Sequence, residues 1–311
     1  MRRSSAAPLF APSLSVLKFK QTRTSLKSFA RPHVLHTTRV RRSPFPTGLQ
    51  ARNQPKMLKL ITAIPSRLHQ LASSILVFLM FRPPLRGLLL PFLGRPEGIR
   101  GALLARFIFP ALNRSTQDSI VVVADPPEDA RVLELGFAKG DLLQSLIDRG
   151  VKPPVYGLDI MRDMVALCRS KLGKHAVLGS ANIEEEGLVA PGLTYGQLFE
   201  AEDCERAGFS ASEVVAPFDQ VIMTNVFYFF SDEGIYHAAK NLWALLRDGG
   251  KVLTVSSPVE DYSEGFQAMG FEGDMSSARY MDAMQAAGFK THKEEDANGE
   301  TTTLVSVKCQ E

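Results

Sequence analysis

One corner of this sequence carries residue types whose spacing suits the binding of a ligand. In RVLELGFAKGD, Arg131 to Asp141, an apolar run stops on Glu134, passes Gly136 and Gly140, and ends on Asp141. Glycines spaced in this way let a backbone turn sharply and approach a ligand with no Cβ in between. Asp159 closes the next apolar run, 23 positions after Gly136. A carboxylate at the end of a second strand is placed to accept hydrogen bonds from two ribose hydroxyls. Glycine corner and carboxylate together describe a nucleoside pocket.

The rest of the corner narrows the ligand. A dinucleotide site wants G-x-G-x-x-G, and from Gly136 this chain reads G-F-A-K-G-D, with Ala138 and Asp141 where the second and third glycines belong. An acid at a helix N-terminus is expected to repel a pyrophosphate. The chain also lacks G-x-x-x-x-G-K-[ST], the other phosphate-cradling loop. A ligand with a ribose and no phosphate fits better. Glu134 and the later carboxylates suit a cation, such as a sulfonium or an ammonium group.

Positioning this corner requires strands that alternate with helices, and from about Gly98 the chain has that pattern. RVLEL, PVYGLDI, HAVLG, FDQVIMTNV and KVLTVSS read as strands. GDLLQSLIDRG, MRDMVALCRSKL and DEGIYHAAKNLWALLRDGG read as the helices between them. SSARYMDAMQAAGF is expected to be a last helix, with FKTHKEED and ETTTLVSVK as a closing hairpin. GALLARFIFPALNR reads as a leading helix, with DSIVVVADPPED closing it off before the first core strand. Residues 180–217, which carry EEE and EAEDCE, read as a looser stretch. The predicted fold is α/β, a mostly parallel sheet covered on both faces. In such sheets, ligands bind outside the carboxyl ends of the strands. The corner, Asp159, the residues after Gly179 and the Thr224–Tyr228 turn all lie there.

Charge divides the 311 residues sharply. Residues 1–96 hold 17 Lys and Arg and no acid, leaving 19 basic against 33 acidic residues for the rest. A net-acidic body argues against a nucleic-acid-binding surface. Cys168, Cys204 and Cys309 are sparse and unpaired in sequence, which fits reduced thiols and neither a zinc site nor a disulfide framework. The leader 1–56 is rich in Arg and Ser and has the features of an organelle transit peptide. Mitochondria are the expected destination, with a plastid as the alternative. In residues 57–97 the longest uncharged apolar piece, Leu71–Phe81, has eleven residues, short of the about 20 that span a bilayer. That segment is expected either to lie on an anionic membrane surface or to pack on the domain that follows.

With these residues in view, 98–311 resembles the class I S-adenosylmethionine-dependent methyltransferases, and among them the methyltransferase type 11-like domains. VLELGFAKG is similar to their first motif, with Ala138 at the middle glycine. VYGLDIMRDMVALCRSKL resembles the second motif, VLGSAN the third, FDQVIMTNVFYFFSD the fourth, and LLRDGGKVLTVSS the turn into strand five. The resemblance implies a seven-stranded Rossmann-like sheet with a reversed C-terminal hairpin. It implies S-adenosyl-L-methionine as cofactor, bound by Glu134, Gly136, Phe137, Ala138 and Gly140, with Asp159 on the ribose. Ile160 and Met161 would flank the adenine. Ala181, with Ser180 or Asn182, would contact its edge, and Thr224, Asn225 and Val226 would border the cofactor. No metal is implied, and the expected partner is a small-molecule acceptor. The competing class is a non-catalytic assembly or binding protein using the same fold through its acidic 180–217 segment.

No catalytic residue can be named on this basis. Methyl transfer from a sulfonium is an in-line displacement in which positioning does most of the work. Phe227 and Tyr228 follow the fourth strand, as packing residues or as an acceptor wall. His237 is a candidate base or a surface residue. Asp232, in SDEG, could steer a cation, but at the start of a helix it is expected to cap that helix. Residues 180–217 and 258–273 are expected to cover the acceptor.

Overall fold

The computed structural model describes residues 114–256, 276–295 and 301–309. The leader 1–56 and the segment 57–97 lie outside them. Seven strands form one sheet: β1 (Val132–Leu135), β2 (Val155–Asp159), β3 (Ala176–Ser180), β4 (Phe218–Thr224), β5 (Leu246–Ser256), β6 (Phe289–Glu295) and β7 (Thr302–Lys308). Their order is β3-β2-β1-β4-β5-β7-β6. β1 to β5 pair in parallel, whereas β7 runs antiparallel to both β5 and β6. A dinucleotide-binding sheet has the order 3-2-1-4-5-6. Here the last strand turns back into the gap between β5 and β6, as the expected hairpin requires.

Helices cover both faces, which is why β1 and β2 are buried along their whole length. On one face lie α1 (Arg114–Ala124), α2 (Asp141–Asp148) and α3 (Arg162–Leu172), packed through Ile120, Leu142, Leu146, Val165 and Cys168 onto Val132, Val155, Ile222 and Leu253. On the other lie α4 (Tyr195–Leu198), α5 (Ala201–Ala207), α6 (Gly234–Leu245) and α7 (Ser277–Ala286), packed onto Leu133, Tyr156, Val221 and Met223. Side chains alternate between faces along each strand, so Val132 and Glu134 look toward α1–α3 while Leu133 and Leu135 look away.

The structure departs from the sequence expectation in four places. DSIVVVA is not a connector: it is most of α1, with Ile120, Val121 and Ala124 buried. The β-branched run VVV suggests extended chain, but burial of one helical face overrides that preference. Residues 180–217 are not loose, since α4 and α5 lie within them. A capping box between Thr194 and Gln197 starts α4, and Glu200 N–H donates to Leu178 O at 2.8 Å, satisfying the free edge of β3. The Arg169 guanidinium forks onto Asp203 at 2.8 and 3.1 Å, and Arg206 binds the same carboxylate at 2.7 Å. These bonds lock α5 to α3. Third, α6 stops at Leu245, so RDGG belongs to the start of β5 rather than to a helix end. Fourth, Asp232 does not cap α6. Ser231 Oγ accepts the Gly234 N–H at 3.1 Å, while Asp232 receives the Arg279 guanidinium at 3.0 Å.

Among the described residues, no helix is long and apolar enough to cross a membrane.

Candidate functional site

Strand order reverses between β1 and β4, and the loops leaving their carboxyl ends are where such a sheet has a crevice. The corner after β1 is built from left-handed residues: Gly136 at φ +70°, Ala138 at +48° and Gly140 at +75°. Each glycine also meets a neighbour closely. A Cβ on Gly136 would sit 2.6 Å from Val226 Cγ2, and one on Gly140 would run into Cys168 Sγ. The loops after β1 and β4 are therefore in contact, as the site requires. Asn225, at φ +54°, supplies the matching left-handed step after β4, and its N–H donates to Val255 O at 3.0 Å.

Gly140→Ala combines a left-handed backbone penalty of about 1–2 kcal/mol with overpacking against α3 worth about 1–3 kcal/mol. The expected loss is about 3 kcal/mol of stability in chemical denaturation. Gly208→Ala is the control: it shares the left-handed conformation, at φ +90° and ψ +17°, but nothing lies within 4 Å of the new Cβ, so only the backbone penalty applies. Equal losses in the two variants would contradict the packing described.

Asp159 ties the second strand to this corner. One carboxylate oxygen accepts the Ala138 N–H at 3.0 Å and the other the Met161 N–H at 2.9 Å. The carboxylate thus sits against the residue midway between the two glycines. Burial pushes its pKa up to about 6, against the pull of those two N–H groups. The neighbouring strand end is drawn in as well: Ala181 N–H donates to Asp159 O at 3.3 Å, and Ser180 Oγ to Ile160 O at 3.4 Å. Ile160 is 65% exposed, an unusual position for a large apolar side chain beside a buried carboxylate. It offers an exposed apolar surface next to the Asp159 carboxylate. Met161, half-buried, starts α3. Asn182 is exposed, and its Oδ1 accepts the Glu184 N–H at 3.2 Å.

Phe137 is placed differently. Its ring is 2% exposed and lies under β2, close enough that a Cβ on Gly157 would be 2.6 Å from it. Only its backbone shapes the corner, through the Gly140 N–H···O bond of 2.7 Å. Phe227 and Tyr228 are likewise core residues, with ring centroids 4.2 Å apart and Phe227 5.4 Å from Tyr280. His237 is half-buried on α6. Residues 258–273, the other expected cover, lie outside the described residues.

Electrostatics at the corner differ from the sequence expectation. Asp141 does not present a bare negative charge. Lys171 Nζ lies 2.6 Å and Lys139 Nζ 2.9 Å from its carboxylate, and they hold it below the usual range although burial acts the other way. Asp141 alone does not bar an anion; the reversed β7 and Ala138, rather than this charge, set the corner apart from a dinucleotide site. Glu134 is the opposite case. It is 2% exposed, and burial, then Asp141 and Asp159, raise its pKa to about 8. Its Oε2 has no hydrogen-bond partner, nor does Thr224 Oγ1. Lys139, Lys171 and Cys168 were not anticipated as parts of this corner. Glu184 was also missed: its Oε1 accepts the Ser231 N–H at 2.7 Å, joining the loops after β3 and β4.

A cavity of about 470 Å³ lined by Leu193, Val215, Leu246 and Lys308, among others, lies at the amino end of β5, at the end of the sheet opposite this corner.

No protein-family model and no curated protein sequence matches the chain. Solved structures do. A protein of Nostoc punctiforme described as an O-methyltransferase is 15% identical, over 69% of this chain and 62% of its own, with a TM-score of 0.50. The structure of PigF with S-adenosylhomocysteine aligns at 16% identity over 81% of this chain and 69% of its own, also with a TM-score of 0.50. A structure of the Haloferax volcanii Trm112 methyltransferase activator in complex with a methyltransferase gives 16% identity over 65% of this chain and 92% of the matched one, again at 0.50. At these identities the likeness speaks for architecture. Sheet order, reversed hairpin and glycine corner agree with it: this chain has the fold of the class I S-adenosylmethionine-dependent methyltransferases.

Proposed function

We propose that the protein is an S-adenosylmethionine-dependent methyltransferase acting on a small-molecule acceptor. The observation that supports this most is the Asp159 carboxylate, fixed by the Ala138 N–H between two left-handed glycines at the point where strand order reverses. Each Asp159 oxygen accepts one backbone N–H and keeps a lone pair for a ribose hydroxyl. Ile160 offers an apolar face to the adenine, and the Ala181 backbone reaches its edge. Glu134 and Thr224, the two orphaned buried polar groups of the corner, fit a polar or cationic end of the same ligand.

When bound, the cofactor supplies a methyl group activated by a positively charged sulfur. The chain's part is to hold the acceptor atom about 3 Å from that methyl, in line with the sulfur, and to keep water out. The acceptor would take that methyl by displacement, with the carbon–sulfur electron pair left on sulfur. Phe227 and Tyr228 stiffen the wall behind the acceptor.

The reading as a non-catalytic binding module rested on the acidic segment 180–217. That segment spends several of its acids internally: Asp203 is 0% exposed and held by two arginines, and Glu184 is bound to Ser231.

Full-length protein incubated with a small-molecule extract and methyl-labelled donor is expected to yield a labelled product and an equal amount of S-adenosylhomocysteine, read by mass spectrometry. Protein that binds the cofactor yet labels nothing across lipid, quinone-like and amine fractions would point to the binding module instead.

A further inference from the structure

The chain ahead of α1 has no role in the proposed function, and the direction of α1 decides where that chain meets the domain. α1 packs on β4 and β5. At its last residue, Ala124 O accepts Gln220 Nε2 at 3.3 Å, near the start of β4. One turn earlier, Val121 O accepts the guanidinium of Arg149, just past the end of α2, at 3.4 Å. α1 therefore ends at the amino side of the sheet. Its 11 residues rise about 16 Å, and Thr224 stands four residues, about 13 Å, above Gln220 on β4. The first turn of α1, seated in the domain by the fully buried Thr116, is thus level with the carboxyl ends of the strands. The chain before Arg114 joins the domain at the end that carries Gly136, Gly140 and Asp159.

That chain has a definite chemistry in its sequence. Residues 57–113 hold seven Lys and Arg against one acid, Glu97, between apolar clusters at 71–81, 88–93 and 107–109. Arg106 and the Phe107–Phe109 cluster lie within eight positions of Arg114, so within about 28 Å of it even in fully extended chain. Residues 114–311 have the opposite balance, 17 Lys and Arg against 32 acids. An anionic bilayer attracts the first composition and repels the second. Basic residues among apolar clusters supply both attractions that hold a chain on such a surface, burial of apolar groups and pairing with lipid headgroups. The end of the domain drawn to that surface is then the end with the site. Ile160, 65% exposed, presents an apolar side chain there.

We propose that the protein works on an anionic membrane with the carboxyl ends of its strands facing the bilayer, and that its acceptor is a lipid-soluble molecule taken from that bilayer. The choice of acceptor rests on the proposed function and deepens it. The orientation stands on charge and on the direction of α1, whatever the site does. The transfer is the one given above, and what is added is the phase that supplies the acceptor. A site that opens onto lipid receives a poorly water-soluble acceptor without drawing it through water, and returns the methylated product to the same phase.

Full-length protein mixed with vesicles of phosphatidylcholine, alone or with about one-third phosphatidylglycerol, tests the contact. It should co-sediment with the anionic vesicles only, and salt should release it. Changing Arg82, Arg86 and Arg95 together to Gln should weaken that binding by about 100-fold. Orientation is read in a Cys309→Ser background, the other two cysteines being buried. A fluorophore is placed on Glu233→Cys, exposed at the start of α6, or on Lys152→Cys, exposed just before β2. A lipid-borne quencher should dim the first label and spare the second. No binding to anionic vesicles, or quenching at residue 152 that equals or exceeds that at 233, overturns the inference and leaves the proposed function standing. With methyl-labelled donor and vesicles loaded with a lipid extract, the labelled product should partition into the organic phase. Label confined to water-soluble products overturns the acceptor class. Vesicle binding in the expected orientation with no labelled product in either phase overturns the proposed function, and the acceptor class with it.

Discussion

Replacing Glu134 with glutamine is expected to stabilise the free protein by about 5 kcal/mol at pH 9 and to leave it almost unchanged at pH 4. The sign follows from proton counting. In the unfolded chain this carboxyl ionises near 4.5, whereas in the folded protein it keeps its proton up to about 8. Between those values the folded state binds more protons, so stability falls as pH rises, at about 1.4 kcal/mol per pH unit. The stabilising difference is fully present below 4.5 and gone above 8. Glutamine, with the shape of the protonated acid and no charge to bury, escapes the loss. Asp159, raised to about 6 by burial, gives a similar decline at lower pH, but it is common to both proteins and cancels in the comparison. Denaturant midpoints measured from pH 4 to 9 should therefore diverge steadily above about pH 5. Parallel profiles for wild type and variant would show that Glu134 is not buried as described.

Removing the Asp159 carboxylate should weaken binding of S-adenosylhomocysteine by about 100-fold or more. Hydrogen bonds to a charged group are worth about 1.5–3 kcal/mol each, and two ribose hydroxyls are at stake. Loss of even the lower value for both corresponds to about two orders of magnitude in affinity. The change should not unfold the protein. Burial already raises the Asp159 pKa to about 6, so burying its charge costs stability in the free protein, and Ala138 and Met161, whose N–H groups it leaves, are only half-buried. Asp159→Ala should retain its unfolding transition and lose the ligand. A folded Asp159→Ala protein with wild-type affinity would remove this carboxylate from the ribose site.

What was legible in the sequence was local. Apolar runs such as VLEL and VYGLD, ended by Gly136 and Asp159, place strand, turn and carboxylate within a few residues of each other, and the structure has them in that order. The closing hairpin was also readable, from ETTTLVSVK following FKTHKEED, while its reversal came from the family resemblance. What was not legible depends on partners distant in sequence. Asp141 looked like a barrier to anions, but Lys171 neutralises it from another helix 30 positions away. Asp232 looked like a cap, but Arg279 claims it across 47 positions. Phe137 sits inside the motif, yet its ring turns under β2 because Gly157 leaves room there. One local signal was available and overlooked: Thr194 followed by Gln197 is the capping box that begins α4.

The central claim is that the glycine corner and Asp159 seat an adenosine moiety without a pyrophosphate. Titrating the full-length chain with S-adenosylhomocysteine, and separately with a nicotinamide dinucleotide, tests it most directly. The account predicts saturable one-to-one binding of the first and none of the second. A folded protein that ignores S-adenosylhomocysteine, or that prefers the dinucleotide, would contradict it.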